Sequence, residues 1–314
     1  MTSLSNIAAL DIGGTNIRCA LITPSGEILA RQKEPTGTDP LATVFQMVDR
    51  AGITALAGIG IAVAGVVDRA AGKVLRSPNI SALSGVDLRT ILEDRYDLSV
   101  HIENDANAAA VGEKWLGSGQ GFDNFVLLTL GTGIGCGIVI NGSLLPAAAE
   151  AGHMSICIDG TTCACGNNGC LEQYASATAV VSRTVAEIER ETPTSLRELH
   201  QGNFYKITAE NLYAAALDGD ALARTILREA GKSLGVGIAN LVNIFSPQAV
   251  ILAGGLTGAW NIYGEAAVQE ASRRALPELF AATQIIVSPV FDDAGLLGAA
   301  RLALDSIQIE GKNR

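Results

Sequence analysis

The chain has 314 residues, room for about two domains of ~150 residues each, and at that length roughly 75% of the unfolded surface can be buried without a staple. Composition is 48% hydrophobic and only 17% charged, with 35 glycines and much alanine rather than long runs of bulky residues. The net charge of −10, with no cluster of Lys or Arg, speaks against a nucleic-acid or anionic-lipid surface, which needs concentrated positive charge.

Read in chain order, residues 7–11 form a short apolar strand ending in Asp11-Ile12-Gly13-Gly14-Thr15. A second strand covers 17–22, and Pro24-Ser25-Gly26 turns the chain into a third at 27–30. Residues 39–51 have Leu41, Val44, Phe45 and Val48 at helical spacing. A buried strand is expected over 59–67 and another over 100–103, followed by an Ala-rich helix over 104–116. The pattern then restarts: strand 124–130, glycine turn 131–133, strand 135–140, an Asn141-Gly142 hairpin signal, and a short strand at 143–145. This echo of residues 8–30 in residues 127–147 points to two related lobes. Helices are expected over 178–191, 209–217, 221–245, 265–276 and 294–304, with a strand at 249–253 ending in Gly254-Gly255. The fold class is α/β. The division expected is a small N-terminal lobe over 1–116, with the C-terminal helix of about 294–314 packing back on it, and a large lobe over 117–293.

Three charge-free stretches, 51–67, 125–149 and 233–264, are candidates for membrane spans, which need about 20 predominantly apolar residues. The first is short and holds four glycines, the second holds Gly131, Gly133, Gly135, Gly137 and Pro146, and the third is broken by Asn240, Asn243 and Pro247. All three read as buried elements of an α/β protein. The N-terminal MTSLSNIAALDIGG lacks a basic n-region, so a secretory signal is not expected and the cytoplasm is.

Residues 11–16 bring glycines whose backbone N–H groups can approach a phosphate, a Thr15 hydroxyl, and an Asp11 carboxylate suited to hydrated Mg²⁺. An ordinary hairpin turn is the plainer alternative. Leu130-Gly131-Thr132-Gly133-Ile134-Gly135 is the matching turn of the second half, and two such loops suit one nucleotide better than either alone. Other phosphate signatures fail. Gly231-Lys232-Ser233 ends like a P-loop, but Ile226 stands where its first glycine belongs, and no G-x-G-x-x-G opens a helix after a strand. In Glu103-Asn104-Asp105-Ala106-Asn107, helix capping competes with a general base able to take a proton from an attacking hydroxyl.

Cys19, Cys136 and Cys157 sit alone in apolar runs and read as core filler. Cys163, Cys165 and Cys170 crowd into eight residues behind Glu150-Ala151-Gly152-His153. Three thiolates and one imidazole make a closed tetrahedral zinc set with no open position for a catalytic water. Fixing that loop would hold Glu150 and Glu172 as rigid acceptors for sugar hydroxyls. His101 and His200 have no such company and read as surface or satisfied histidines.

Together, residues 11–16, 103–110, 130–137, 150–153 and 163–172 resemble the ROK family of sugar kinases and repressors, over nearly the whole chain. The resemblance implies an actin/hexokinase-like ATPase fold, two related lobes with ATP and sugar in the cleft. It implies Asp105 as the base, with Asn79, Asn104, Glu150, His153 and Glu172 around the sugar. It places ATP phosphates on Asp11, Gly13, Gly14, Thr15, Asn16, Thr132 and Gly133, and adenosine against Gly254 and Gly255. His153 would serve twice, one ring nitrogen on a structural Zn²⁺ shared with Cys163, Cys165 and Cys170, the other facing the sugar. The implied reaction is transfer from Mg·ATP to the 6-hydroxyl of a hexose, glucose first, with N-acetylmannosamine, N-acetylglucosamine or fructose as rival substrates and a non-catalytic sugar sensor as a remote alternative. Two departures stand out. Asn16 occupies a position where many family kinases have Lys, and Ser81-Ala82-Leu83-Ser84 follows Asn79-Ile80 where family glucose kinases often have Trp. Family repressors carry a helix-turn-helix before the first loop, and only ten residues precede Asp11. The expected partners are a hexose and further copies of this chain, a dimer or dimer of dimers, with no nucleic acid and no membrane.

Overall fold

The computed structural model of the protein describes residues 6–53, 56–289 and 291–312. It forms two compact units. One is built from the chain up to Asn124, from Gly137–Ala149 and from Ser288 onward; the other from Phe125–Cys136 and Glu150–Val287.

In the first unit, β1 (Asn6–Ile12), β2 (Asn16–Ile22) and β3 (Ile28–Pro35) form an antiparallel meander. Helix α1 (Pro40–Ala51) follows, capped by Asp39, whose carboxylate accepts from Ala42 N at 3.0 Å, and stopped at Gly52 with φ 84°. Strand β4 (Leu56–Val63) then lies parallel to β1. The strand expected over 59–67 is broken: β5 (Val66–Asp68) leaves in a different ribbon with β6 (Lys73–Arg76). The cause is Gly65 at φ 133°, where a Cβ would overlap the Arg76 carbonyl. Helix α2 (Leu88–Tyr96), strand β7 (Ser99–Asn104) and helix α3 (Asp105–Leu116) complete this run, giving the sheet order β3-β2-β1-β4-β7.

Strand β8 (Phe125–Leu130) begins the second sheet, and β9 (Ile134–Ile140) turns into β10 (Ser143–Leu144) through Asn141 (φ 52°) and Gly142 (φ 73°), both left-handed as a type I′ turn requires. After the Cys-rich loop come α4 (Glu172–Ala175), α5 (Ala177–Glu189), α6 (Ala209–Leu217) and the 25-residue α7 (Ala221–Phe245). Strand β11 (Ala249–Ala253), helices α8 (Glu265–Arg274) and α9 (Pro277–Ala281), strand β12 (Gln284–Val287) and helix α10 (Phe291–Lys312) follow. The second sheet runs β10-β9-β8-β11-β12, with β11 parallel to both β8 and β12.

Helix α10 returns to the first unit and packs on α3 and β4. The approach is backbone-close: a Cβ on Gly298 would overlap the Ala108 carbonyl, one on Gly112 the Ala294 carbonyl, and one on Gly60 the Ala299 carbonyl. Small residues at this crossing therefore set how deeply the helices seat. The core of the first unit lies on the other face too, where Leu10, Ile61, Met47 and Leu92 are fully buried. No helix among the described residues is long and apolar enough to cross a membrane, in agreement with the reading of the three charge-free stretches.

Candidate active site

In the first unit the β1–β2 turn is held from behind. Gly13 N donates to Asn16 O at 3.1 Å, buried Thr36 donates its hydroxyl to Gly13 O at 2.6 Å, and Thr36 N donates to Thr15 O at 3.0 Å. Gly14 and Thr15 are exposed at the tip. The turn also meets Asn79: a Cβ on Gly14 would lie 3.0 Å from the Asn79 Cβ. Antiparallel register places Arg18 opposite Asp11, and its guanidinium bonds Asp11 Oδ2, with Nε at 3.1 Å. The hydrogen bonds to the Asp11 carboxylate among the described residues all fall on Oδ2, which leaves Oδ1 for a hydrated cation. Neither Thr36 nor Arg18 figures in the sequence reading. Arg18 could have been found by counting register outward from the turn, since 12 faces 17 and 11 faces 18.

The break at Ala64-Gly65 organises the rest of this half-site. Ala64 N donates to Ile12 O at 3.1 Å, tying it to the first loop. Ala64 O accepts from Ser77 Oγ at 2.6 Å, tying it to the segment that carries Asn79, and Gly65 O accepts from Asn104 Nδ2 at 2.9 Å. Asn104 also caps α3, its Oδ1 accepting from Ala106 N (2.9 Å) and Asn107 N (3.1 Å). The capping reading therefore holds for Asn104, and Asp105 is the first residue of the helix, half-buried, with its Oδ1 accepting from Ala106 N at 2.9 Å. Buried Glu103 anchors the turn: Arg69 Nη1 donates to its Oε2 at 3.1 Å, while its Oε1 accepts from Asn104 N (2.9 Å) and Asn107 Nδ2 (3.1 Å).

In the second unit two glycine turns sit at the carboxyl ends of parallel neighbours, β8 and β11, where Ala253 pairs with Thr129. That end of an open α/β sheet is where ligands bind. Gly131 N donates to Gly133 O at 3.0 Å, and Ala177 N to Gly131 O at 2.9 Å, leaving Thr132 exposed. Gly254, at φ 100°, packs so tightly on Leu130 that a Cβ would overlap its carbonyl. Thr257 Oγ1 closes this turn on Gly254 O at 2.7 Å, a role absent from the sequence reading, and Gly255 next to it has open space.

The Cys-rich loop brings one donor atom each from His153, Cys163, Cys165 and Cys170 within 4.8 Å of one another. His153 Nδ1 lies 3.7 Å from Cys163 Sγ, and Cys165 Sγ lies 3.6 Å from Cys170 Sγ. Zinc at ~2.3 Å from each sulfur separates tetrahedral neighbours by about 3.7 Å, so the donor set and its spacing fit that metal. Nδ1 is the nitrogen turned to the thiols, leaving Nε2 for another partner. Gly166 (φ 98°) and Gly169 (φ 73°) supply the turns. The backbone amide of Asn167 lowers the Cys165 thiol pKa, whereas burial raises those of Cys163 and Cys170. The Glu150–His153 turn sits on β9: a Cβ on Gly152 would overlap the Ile134 carbonyl. Burial pushes the Glu150 carboxyl up, with His153 pulling it down and Glu172 adding to the rise. The thiol of buried Cys136, pushed up to about 12 by desolvation, lies beside this turn.

Cys157 is exposed rather than core filler, because the 155–162 segment pairs with the Cys-rich loop through its backbone, as in Ile156 N to Gly169 O at 2.8 Å. His101 is neither at the surface nor fully satisfied: Nδ1 bonds Ser306 Oγ at 3.0 Å, but buried Nε2 has no partner among the described residues. His200 lies exposed, its Nε2 3.1 Å from Asn211 Oδ1.

The sequence pattern of the ROK family matches residues 7–306. A glucokinase of Thermotoga maritima is 34% identical, the alignment covering 96% of this chain and 98% of the relative. A ROK family glucokinase from Streptomyces griseus, solved with glucose and AMPPNP, is 34% identical with a TM-score of 0.83, over 96% of this chain and 99% of that one. A ROK family transcriptional regulator, a homologue of the E. coli MLC protein, is 28% identical with a TM-score of 0.87, over 98% of this chain and 80% of that one.

Proposed function

We propose, from the premise that this chain belongs to the ROK family, that it phosphorylates a hexose with ATP, glucose being the substrate at its 6-hydroxyl. The observation that carries this reading is the near full-length likeness to a kinase solved with glucose and AMPPNP, joined to an acid at the start of α3 and glycine turns at the ends of β1 and β8.

Asp105 accepts the proton of the 6-hydroxyl as that oxygen bonds the γ-phosphorus and the bond to the bridging oxygen of ADP breaks. Asn79, Asn104, Glu150, His153 through Nε2, and Glu172 hold the sugar hydroxyls. Exposed backbone N–H groups at 13–16 and 132–133 bind the phosphates, with the Thr15 and Thr132 hydroxyls beside them, and Gly254-Gly255 takes the adenosine side. Asp11 would hold Mg²⁺, which would supply charge neutralisation at the phosphates, while Arg18 keeps the carboxylate in place. His153, Cys163, Cys165 and Cys170 hold a structural zinc, which supplies rigidity to the turn carrying Glu150 and to the start of α4, where Glu172 sits. A cytoplasmic enzyme assembled as a dimer or dimer of dimers belongs to the same proposal.

The transcriptional regulator's likeness keeps a second reading in view, a sugar-binding protein without turnover. Coupled ADP release over a panel of glucose, mannose, fructose, N-acetylglucosamine and N-acetylmannosamine separates the two. The kinase reading expects turnover with glucose highest. Turnover highest with an N-acylhexosamine moves the substrate to that class, and binding with no ADP release overturns the kinase.

A further inference from the structure

Gly133 differs from Gly169 and Gly254, tight glycines of the second unit that are held at positive φ. Its φ is not left-handed, so no backbone conformation demands glycine there. What fills the place of its missing side chain is a carboxylate: a Cβ on Gly133 would lie 2.9 Å from Glu172 Oε2, with no other atom nearer than 4.0 Å. The other oxygen, Oε1, lies 3.5 Å from His153 Nδ1 and accepts from Cys163 Sγ at 3.4 Å. The same short segment also grips the turn at its other end, where Ala177 N donates to Gly131 O. Residues 172–177 therefore touch the 131–133 turn twice, once by backbone and once by the Glu172 side chain.

We propose that Gly133 is a sugar-positioning residue: its bare backbone is the wall that sets where the Glu172 carboxylate stands. The proposal rests on the reading of Glu172 as a sugar ligand and goes beyond it, because it assigns a residue of the nucleotide loop to the affinity for sugar. The obstructed atom is the far end of a flexible side chain, so an added methyl moves the carboxylate rather than the backbone. Gly131 is the built-in control. A Cβ there meets nothing within 4 Å, and its φ is likewise unstrained.

The test is calorimetric binding of glucose alone, with no nucleotide present, to the zinc-loaded full chain. Gly133→Ala should weaken glucose about tenfold or more, the scale of losing a charge-assisted hydrogen bond, with zinc content and melting temperature unchanged. Gly131→Ala should stay within about twofold. In a double-mutant cycle, Glu172→Asp, which draws the carboxylate back by one methylene, should shrink the effect of Gly133→Ala severalfold. Wild-type-like glucose affinity in Gly133→Ala, equal losses in the two glycine variants, or additivity in the cycle overturns the proposal while leaving the kinase reading standing. Wild-type protein that binds no hexose overturns both.

Discussion

The two Gly/Thr turns are spelled almost alike, yet they are held by different means. Both carry one backbone bond within the turn and one from an amide outside it, but the turn after β1, with Gly13 N on Asn16 O and Thr36 N on Thr15 O, adds a set of side chains: the Thr36 hydroxyl on Gly13 O, Arg18 on Asp11, and Asn79 against Gly14. The turn after β8 is braced by backbone, Gly131 N to Gly133 O and Ala177 N to Gly131 O, with one side chain, Glu172, standing at its wall. Similar loop sequence does not imply similar support. The first turn is coupled to the start of α3 through Ala64 N on Ile12 O and Asn104 Nδ2 on Gly65 O, the second to the zinc-ligand loop through residues 172–177. Damage to each support should leave a different kinetic trace.

The largest effect belongs to the acid that the first unit's scaffold presents. Asp105→Asn preserves shape and helix start, so glucose affinity should hold while kcat falls 10²–10⁴-fold, the usual contribution of one general base. Retention of more than about a tenth of kcat would show that the Ala64-Gly65 framework positions something other than the base.

Next comes the second turn's neighbour. Cys165→Ser should raise the glucose KM about 10–100-fold, the typical cost of disturbing a metal site, and lower the melting temperature. The ATP KM should move much less, since the backbone bonds of the 131–133 turn do not involve the thiols. Equal rises in both KM values would erase the contrast between the turns. Elemental analysis should find about one zinc per chain, from one tetrahedral donor set.

Smaller still is the brace of the first turn. Thr36→Val removes the donor to Gly13 O from a half-buried turn, a loss on the order of 1–2 kcal/mol or roughly five- to thirtyfold. It should appear in the ATP KM with the glucose KM flat. A change in the glucose KM alone would place the sugar, not the phosphates, at this turn.

Outside both turns, His101 should affect stability and not kinetics. Desolvation, helped by Arg89 and Arg69 and opposed by Asp305, lowers its pKa to about 4. The unfolded chain, with an ordinary pKa near 6.5, takes up the proton first. Stability linked to this residue is therefore whole above about pH 6.5 and is lost as pH falls toward 4, by at most about 3 kcal/mol at 1.36 kcal/mol per unit. Urea melts across that range should be shallower in pH for His101→Asn, with kcat near neutral pH unchanged.

The parts of this molecule legible in the sequence are those whose signal is local. Strand periods, the Asn141-Gly142 turn and the spacing of Cys163, Cys165 and Cys170 are each written within a few residues. Helix α2 was hidden by Pro78, Gly85 and a high charge density, and β12 by its shortness. The supports of the site were illegible for a different reason. Thr36, Ala64, Arg69 and Thr257 act through backbone carbonyls or one buried carboxylate brought near by folding, and no spacing rule records such a bond. The broken strand at Gly65 shows the limit most plainly. An apolar run of residues 59–67 reads as one strand, and only the Arg76 carbonyl, arriving from β6, requires the kink that then tethers Asn104.

The central claim, phosphoryl transfer to the 6-hydroxyl of glucose, is tested most directly by the product itself. Purified protein with Mg·ATP and carbon-13-labelled glucose should yield, by combined phosphorus and carbon NMR, a phosphomonoester coupled to C6, formed about 10²–10⁴-fold more slowly when Asp105→Asn replaces the wild type. Glucose recovered unmodified while it binds the protein, or phosphate found on another carbon, would contradict the account.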